Sequence, residues 1–422
     1  MFVFLIYIIL SPLIYILLIM FSIFDEKTRI ILFNNHRLNN KKLNTNKKKL
    51  LFHAASAGEY EQLKPILTKI DRKIYFVIVT CMSPTIFNQL SKNKEIDLYC
   101  YHPLDFPWNP KKFFSVIKPS AYITTRHDVW PNHLWYLKKM KIKTFLINAN
   151  LYQKSKRLKW YSKKFTKYIY NFFDLIIVPS NSIEILFKNF LDKDKILKID
   201  DTRYEQVLNR KNQSNGIEIF ENIKNFDNII FGSISEKDLF LFKNSDVNSL
   251  KSYPGFIIIV PHEINSDLIN KIKSMFKFSI MFSDIKKNSL INKSKKYSTA
   301  IIVDKVGILP ELYNYTKIAY VGGGFGKGVH NTFEPLVYNN TVCYGPNIDL
   351  LNEAKEMNES NCGFIVNNYS DISKIVNYHF VQKLHTNKDV LSREQIKDKI
   401  KLFIRGKNQS ANKIYETIHN NI

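Results

Sequence analysis

The 422-residue chain is poor in cysteine. Its four, Cys81, Cys100, Cys343 and Cys362, include no Cys-x-x-Cys pair. That excludes a zinc ribbon and a disulfide scaffold, and fits a reducing compartment. Glycine and proline are also scarce, at 13 and 14 residues, so a fibrous or linker-like chain is excluded. Acidic residues are outnumbered, 37 Asp and Glu against 62 Lys and Arg, for a formal net charge of +25. An excess of this kind reads as attraction to nucleic acid, as attraction to an anionic membrane, or as a drift in composition towards Lys, Asn and Ile. The lysines are scattered over the whole chain, and no helix-turn-helix, zinc or RNA-binding pattern accompanies them, so nucleic acid is not an expected partner. A hydrophobic content of 45%, with 14% aromatic residues, excludes a disordered chain.

Charge is missing altogether from Met1 to Phe24. A run of that length can cross a bilayer core as one helix, and Pro12 bends such a helix without forbidding it. Neither a basic segment before the run nor a small-x-small cleavage site is present, so a retained anchor is expected over a cleaved signal. Lys27, Arg29, Arg37, Lys41 and Lys42 follow the run and no Lys or Arg precedes it. The positive-inside rule then puts the body on the cytoplasmic side, held by a single pass. No second run of this kind follows. The connector Lys41–Lys49 is either a solvated linker or a contact for anionic lipid headgroups, at about 1 kcal/mol per charge near the surface.

The body alternates short apolar, β-branched runs with segments of helical spacing. The runs Leu50–His53, Tyr75–Thr80, Ile96–Cys100, Ala121–Thr125, Lys143–Ile147 and Leu175–Val178 form one series. Asn228–Ser233, Gly255–Val260, Ala300–Val303, Ile318–Val321, Thr341–Tyr344 and Gly363–Val366 form a second. Such alternation predicts an α/β chain with parallel sheets covered by helices on both faces. The polar stretch Asn209–Asn225 separates the series, giving an anchor at 1–24 and Rossmann-like domains at 25–208 and 209–422.

In open α/β sheets ligands bind beyond the C-terminal strand ends, so the loops there are informative. The first is His53-Ala-Ala-Ser-Ala-Gly-Glu59, where Ser56 and Gly58 allow a tight turn. Glu59 opens the next helix, where the helix dipole favours its ionised form; it is either a general base or an ordinary first-turn acid. Thr80 and Ser83 follow the next strand, as substrate contacts or as helix caps. Asp105 and the segment Arg126-His127-Asp128-Val129-Trp130-Pro131-Asn132 follow two more, with the character of a sugar or phosphate site or of a helix start. The histidines are too few and too oddly spaced for a metal centre. The densest signal is Gly322-Gly-Gly-Phe-Gly-Lys-Gly-Val-His-Asn-Thr-Phe-Glu-Pro335, five glycines running into a helix expected near Asn331. It matches neither the Walker loop nor G-x-G-x-x-G. Its amides can cradle a phosphate, and Glu334 sits one turn on, in reach of a ribose diol.

Taken in order, these motifs resemble the Kdo transferases, membrane-anchored enzymes that move 3-deoxy-D-manno-oct-2-ulosonic acid (Kdo) from CMP-Kdo onto a lipid A precursor. The resemblance runs from the anchor and His53–Glu59 through Trp130-Pro131-Asn132, Asn148-Ala149, Gly232-Ser233, Pro261-His262-Glu263 and Gly307-Ile308-Leu309. It continues through the glycine-rich loop to Gly345-Pro346-Asn347 and Asn352-Glu353. It implies a GT-B fold and an inverting transfer with no metal and no cofactor, CMP-Kdo being the donor substrate. Glu59 becomes the base. Ser56, Gly58, Thr80, Ser83, Asp105, Arg126 and Asp128 become the acceptor side. Ser233, His262, Gly323, Gly324, Lys327 and His330 become the donor-phosphate side, with Asn331 and Glu334 on the nucleotide. Gly307, Ile308 and Leu309 line the cytosine, and Asn352 and Glu353 close that pocket. The sequence departs from the family where Glu-Thr-Glu-x commonly precedes Trp-Pro-Asn, having Arg126-His127-Asp128-Val129 instead. Another membrane-associated GT-B transferase and an inactive tethered binding protein are the alternatives.

Overall fold

The computed structural model describes residues 2–33, 43–242, 255–276, 278–285, 300–381, 383–385 and 390–422. Arg37, Lys41 and Lys42 lie outside the described residues.

The chain divides into two compact units, 1–206 with 407–422, and 207–406. The first is built on strands β1 (Lys48–Ala54), β2 (Tyr75–Cys81), β3 (Leu98–Tyr101), β4 (Ala121–Thr125), β5 (Lys143–Ile147), β6 (Leu175–Val178) and β7 (Ile196–Lys198). They form one parallel sheet in the order β3-β2-β1-β4-β5-β6-β7. The second unit has β8 (Ile229–Ile234), β9 (Ile257–Pro261), β10 (Ser279–Met281), β11 (Ala300–Ile302), β12 (Ile318–Val321), β13 (Thr341–Tyr344) and β14 (Gly363–Ile365). These are also parallel, in the order β10-β11-β9-β8-β12-β13-β14. The central strands are buried along their whole length, as a sheet covered on both faces requires. The twelve runs read from the sequence all become strands; β7 and β10, which were not foreseen, are three-residue strands at sheet edges.

The domain boundaries need one correction. The last segment was assigned to the second domain, yet 407–422 packs with the first. Helix Ser410–Asn420 buries Ala411, Ile414 and Ile418 in the same core as Leu63, Ile66 and Leu67 of helix Ala57–Leu67. The Ala411 amide donates to Glu205 Oε2 at 3.0 Å, and Lys407 Nζ lies 4.2 Å from the Tyr204 ring centre. The division between units falls inside helix Thr202–Gln213, not in an open linker.

Helix Phe2–Ser22 is long and apolar enough to cross a membrane. One stripe of it rests on the first unit. The Phe4 ring lies 6.0 Å from Tyr168, Tyr15 lies 5.1 Å from Phe106 and 5.6 Å from Trp108, and the Tyr7 hydroxyl donates to Asp105. Its other faces expose Leu5, Ile9, Leu13, Leu17, Met20 and Phe21.

Candidate functional site

The strand order of the first sheet reverses between β1 and β4, and that of the second between β8 and β12, with β10 and β11 exchanged at its edge. The crevice at such a switch point is where a doubly wound sheet binds ligands. The motifs fall there. His53 lies near the end of β1 and its motif runs on to Glu59, Arg126–Asp128 follows β4, Ser233 lies near the end of β8, just before Ile234, and the glycine-rich loop follows β12.

In the first unit Ser56 caps helix Ala57–Leu67. Its Oγ accepts from the Glu59 amide at 3.4 Å, while Glu59 Oε2 accepts from the Ser56 amide at 2.8 Å. This capping box fixes the carboxyl of Glu59, which is buried, at the sheet's C-terminal edge. Ser56 and Gly58 are exposed beside it. Asp128 reaches the same place from β4: its Oδ2 accepts from the Ala55 amide at 3.3 Å. Burial, the charge of Glu59 and a hydrogen bond to Glu59 raise the Asp128 carboxyl to about 7. Arg126 is held at φ 55 by its amide bond to Ile147 O (2.9 Å) and by Asn150 N donating to its carbonyl (3.0 Å). Left-handed backbone on an arginine is strain of a kind that clusters at functional loops.

Two acceptor-side expectations are corrected. Thr80 is fully buried among His53, His102 and the Phe52 carbonyl. Asp105 is buried beneath helix Pro131–Lys139. It accepts from the Asn132 and His133 amides at 3.1 and 3.0 Å, capping that helix from a neighbouring loop. Burial raises its carboxyl to about 7 despite these bonds. Neither side chain is presented to solvent. Ser83 is half-buried at the start of helix Pro84–Leu90 and makes no side-chain cap there.

In the second unit the glycine loop has an organiser that the sequence analysis missed. Asp238 is fully buried. It accepts from the Ser235 amide (2.9 Å) and hydroxyl (2.6 Å), the Tyr320 hydroxyl (2.7 Å) and the Gly323 amide (3.2 Å). The signal was present as Ser235-x-x-Asp238, a capping-box pattern. The loop itself is a folded knot, not an open cradle. The amides of Gly322, Gly323, Gly326 and Gly328 are all occupied by internal bonds. Gly324 is required by close approach, since a Cβ there would lie 2.6 Å from the Gly345 amide nitrogen. Asn347 ties the loop by donating to Gly326 O at 2.8 Å. Of the glycines expected to cradle a phosphate, Gly323 gives its amide to Asp238, and Lys327 is exposed at the loop tip.

Beside the loop, Ser233 sits at φ 58 with its Oγ 2.8 Å from His262 Nδ1. The rings of His262 and His330 stack at 4.2 Å. Asn331 Oδ1 accepts from the Phe333 and Glu334 amides, and its Nδ2 donates to Glu334 Oε1 at 2.9 Å. Burial raises the Glu334 carboxyl to about 7, opposed by Arg210 and reinforced by Glu353 and Glu311. Gly307 is open, at φ 89, and its carbonyl accepts from Arg210 at 2.9 Å; Ile308 and Leu309 are half-buried. Glu353 is buried and accepts from the Thr332 amide and hydroxyl, and Asn352 donates to Glu356.

The family described as 3-Deoxy-D-manno-octulosonic-acid transferase (kdotransferase) matches residues 30–206. A 3-deoxy-D-manno-octulosonic acid transferase of Aquifex aeolicus is 31% identical over 369 residues, covering 85% of this chain and 94% of that protein. One from Chlamydia muridarum is 26% identical, over 70% of each chain. Among solved structures, a glycosyltransferase from Rickettsia africae superposes with a TM-score of 0.60 at 16% identity, covering 90% of this chain and 100% of that one. A UDP-GlcNAc 2-epimerase from Neisseria meningitidis gives 0.61 at 13% identity, covering 88% and 100%. At these identities the likeness concerns fold, and the fold is GT-B: two Rossmann-like units, each built on a parallel sheet of seven strands. The Aquifex relative extends the match beyond the first unit to most of the chain, and the chain belongs to the 3-deoxy-D-manno-octulosonic acid transferase family of glycosyltransferases.

Proposed function

We propose that this chain transfers Kdo from CMP-Kdo to a lipid A precursor of the lipid IVA type, with inversion and without a resident metal or cofactor. The observation that carries the reading is the Ser56–Glu59 capping box, which fixes a buried carboxyl at a sheet switch point. Glu59 takes the proton of an acceptor hydroxyl as that oxygen attacks the anomeric carbon. The bond from the anomeric carbon to the phosphate breaks on the opposite face, and CMP leaves with the electron pair. Lys327, His262 and Ser233 are the groups for the leaving phosphate, whose growing charge needs fixed donors. The Asn331–Glu334 pair holds the ribose. Arg126 serves the anionic acceptor. Incubation with CMP-Kdo and the tetraacyl disaccharide is expected to release CMP and to raise the lipid mass by one or more Kdo units. Release of CMP without any Kdo on the lipid would exclude this acceptor.

The same reading places the chain at the cytoplasmic face of the inner membrane. The exposed apolar faces of helix Phe2–Ser22 supply the attachment, and the lysine excess supplies attraction to anionic lipids that weakens with salt. Removing Met1–Phe24 is expected to move the protein from the membrane fraction to the soluble fraction. A truncated chain that still sediments with membranes in high salt would place the attachment elsewhere.

A further inference from the structure

Helix Phe2–Ser22 turns one side inward from end to end. Phe4, Tyr7, Ser11, Tyr15, Leu18 and Ser22 recur every three or four residues and are buried or half-buried, so they form one stripe. All four hydroxyl-bearing residues of the helix, Tyr7, Ser11, Tyr15 and Ser22, fall in it. The opposite face holds Ile6, Ile9, Leu13 and Met20, all exposed. The stripe is seated on the body. The Phe4 ring lies 6.0 Å from Tyr168 of helix Trp160–Tyr170, and the Tyr7 hydroxyl lies 3.1 Å from the Asp105 carbonyl oxygen and 3.2 Å from its carboxylate. Further along, Tyr15 packs edge-on against Phe106 and Trp108.

This docking and a membrane-spanning pose exclude each other. At about 1.5 Å per residue, Phe4 stands about 27 Å from Ser22 along the helix. A bilayer core is about 30 Å thick. A helix that crosses it with Ser22 at the cytoplasmic interface puts Phe4 in the far leaflet. Tyr168 would have to follow Phe4 there, and with it Lys163, Lys164 and Lys167, which are exposed on the same helix. Ionisable side chains at that depth are strongly disfavoured. The helix therefore either leaves the body, giving up Tyr168, Phe106, Trp108 and Asp105, or keeps them and lies flat.

Charge on the helices beneath it favours the flat pose. Phe4 shares one core with Phe114 of helix Asn109–Ile117, Leu137 of helix Pro131–Lys139 and Ile169 of helix Trp160–Tyr170. None of these three helices contains an acidic residue. From Phe106 to Phe173 the chain has 15 Lys and Arg and one acidic residue, Asp128, so this stretch holds more than half of the +25 excess. Trp160 and Tyr161, at the start of the third helix, are 87% and 58% exposed. Exposed aromatic rings and lysines around an apolar ridge make a surface suited to a headgroup layer over acyl chains.

Resting on the reading of this chain as membrane-attached, we propose that helix Phe2–Ser22 does not cross the bilayer but lies in its surface. The docked stripe stays on the body, the outer face of the helix enters the acyl layer, and the lysine-rich helices around it meet headgroups. The partner that covers the exposed face is the surface of an anionic bilayer. The single pass expected from the sequence gives way to an in-plane contact.

The test is spin-label depth measurement on the full chain in vesicles of phosphatidylethanolamine and phosphatidylglycerol. The four native cysteines are buried, so Ile6→Cys, Ile9→Cys, Leu13→Cys and Met20→Cys, all on the outer face, take the label singly. Collision with oxygen and with a water-soluble nickel chelate reads the depth. An in-plane helix is expected to give one shallow depth, about 5–10 Å, at all four positions. A depth that peaks at Leu13 and falls by about 10 Å towards Ile6 and Met20 is a crossing helix and overturns the proposal. Strong coupling between labels on two molecules shows a second copy on the face and overturns it too. As a second measurement, replacing Lys163, Lys164 and Lys167 by Gln is expected to weaken binding to these vesicles by roughly tenfold or more at low salt. Binding to neutral vesicles should stay unchanged; an anionic-vesicle affinity equal to the parent's rejects the lysine face. If the parent chain binds no vesicles, the reading of membrane attachment fails as well; if it binds with the crossing profile, only the in-plane pose fails.

Discussion

Glu59→Gln is expected to lower the rate of Kdo transfer by roughly 10²–10⁴-fold, the usual contribution of a positioned general base. The glutamine side chain keeps the shape of the glutamate and an oxygen to accept from the Ser56 amide, so the capping box and helix Ala57–Leu67 should survive. What it removes is the basic lone pair. Thermal unfolding and CMP affinity should therefore match the parent, while single-turnover transfer falls. Undiminished turnover would remove Glu59 from the mechanism and leave it as a first-turn cap. The neighbouring carboxyl sharpens the experiment. Asp128, whose carboxyl is raised by burial and by Glu59, is the nearest group that could take over, so Asp128→Asn belongs in the same series.

The second large effect concerns stability in the second unit. Asp238→Ala is expected to destabilise the protein by about 3–5 kcal/mol, because four donors lose their acceptor inside a dry core. Those donors are the Ser235 amide and hydroxyl, the Tyr320 hydroxyl and the Gly323 amide. Gly323 is the pivot of the glycine loop, at φ 90 with its carbonyl accepting from both Gly326 and Gly328. Its release should loosen the loop that carries Lys327, and CMP affinity should fall by roughly tenfold or more. Denaturant unfolding and calorimetric titration with CMP measure the two effects. Asp238→Asn keeps one acceptor oxygen and should fall between. Parent-like stability in the alanine variant would mean that water replaces the carboxylate, and the organising role would be withdrawn.

The chemistry of a parallel α/β protein was legible because its strands are continuous apolar runs and its ligand loops follow them directly. The runs from Leu50 to Val366 gave twelve strands, and the loops after β1, β4, β8 and β12 carried the motifs. Edge strands β7 and β10 were not legible, since both are short and mostly unburied and lack the continuous apolar run that marks a buried strand. The return of helix Ser410–Asn420 to the first unit was hidden for another reason: an amphipathic helix states that it has a partner, not which one.

Side-chain roles divided along the same line. Sequence alone determined that Glu59 begins a helix after a small-residue turn, that charge is absent from Met1 to Phe24, and that the glycines cluster before a helix. Tertiary structure decided what those residues face. It turned Asp105 and Thr80 inward, made Asp238 the anchor of the loop, and set Asp128 beside Glu59 with His53 behind it. Local pattern fixes backbone conformation within a few residues. Whether a polar side chain meets solvent, a substrate or a buried partner depends on strands far apart in sequence that pair only when the sheet closes.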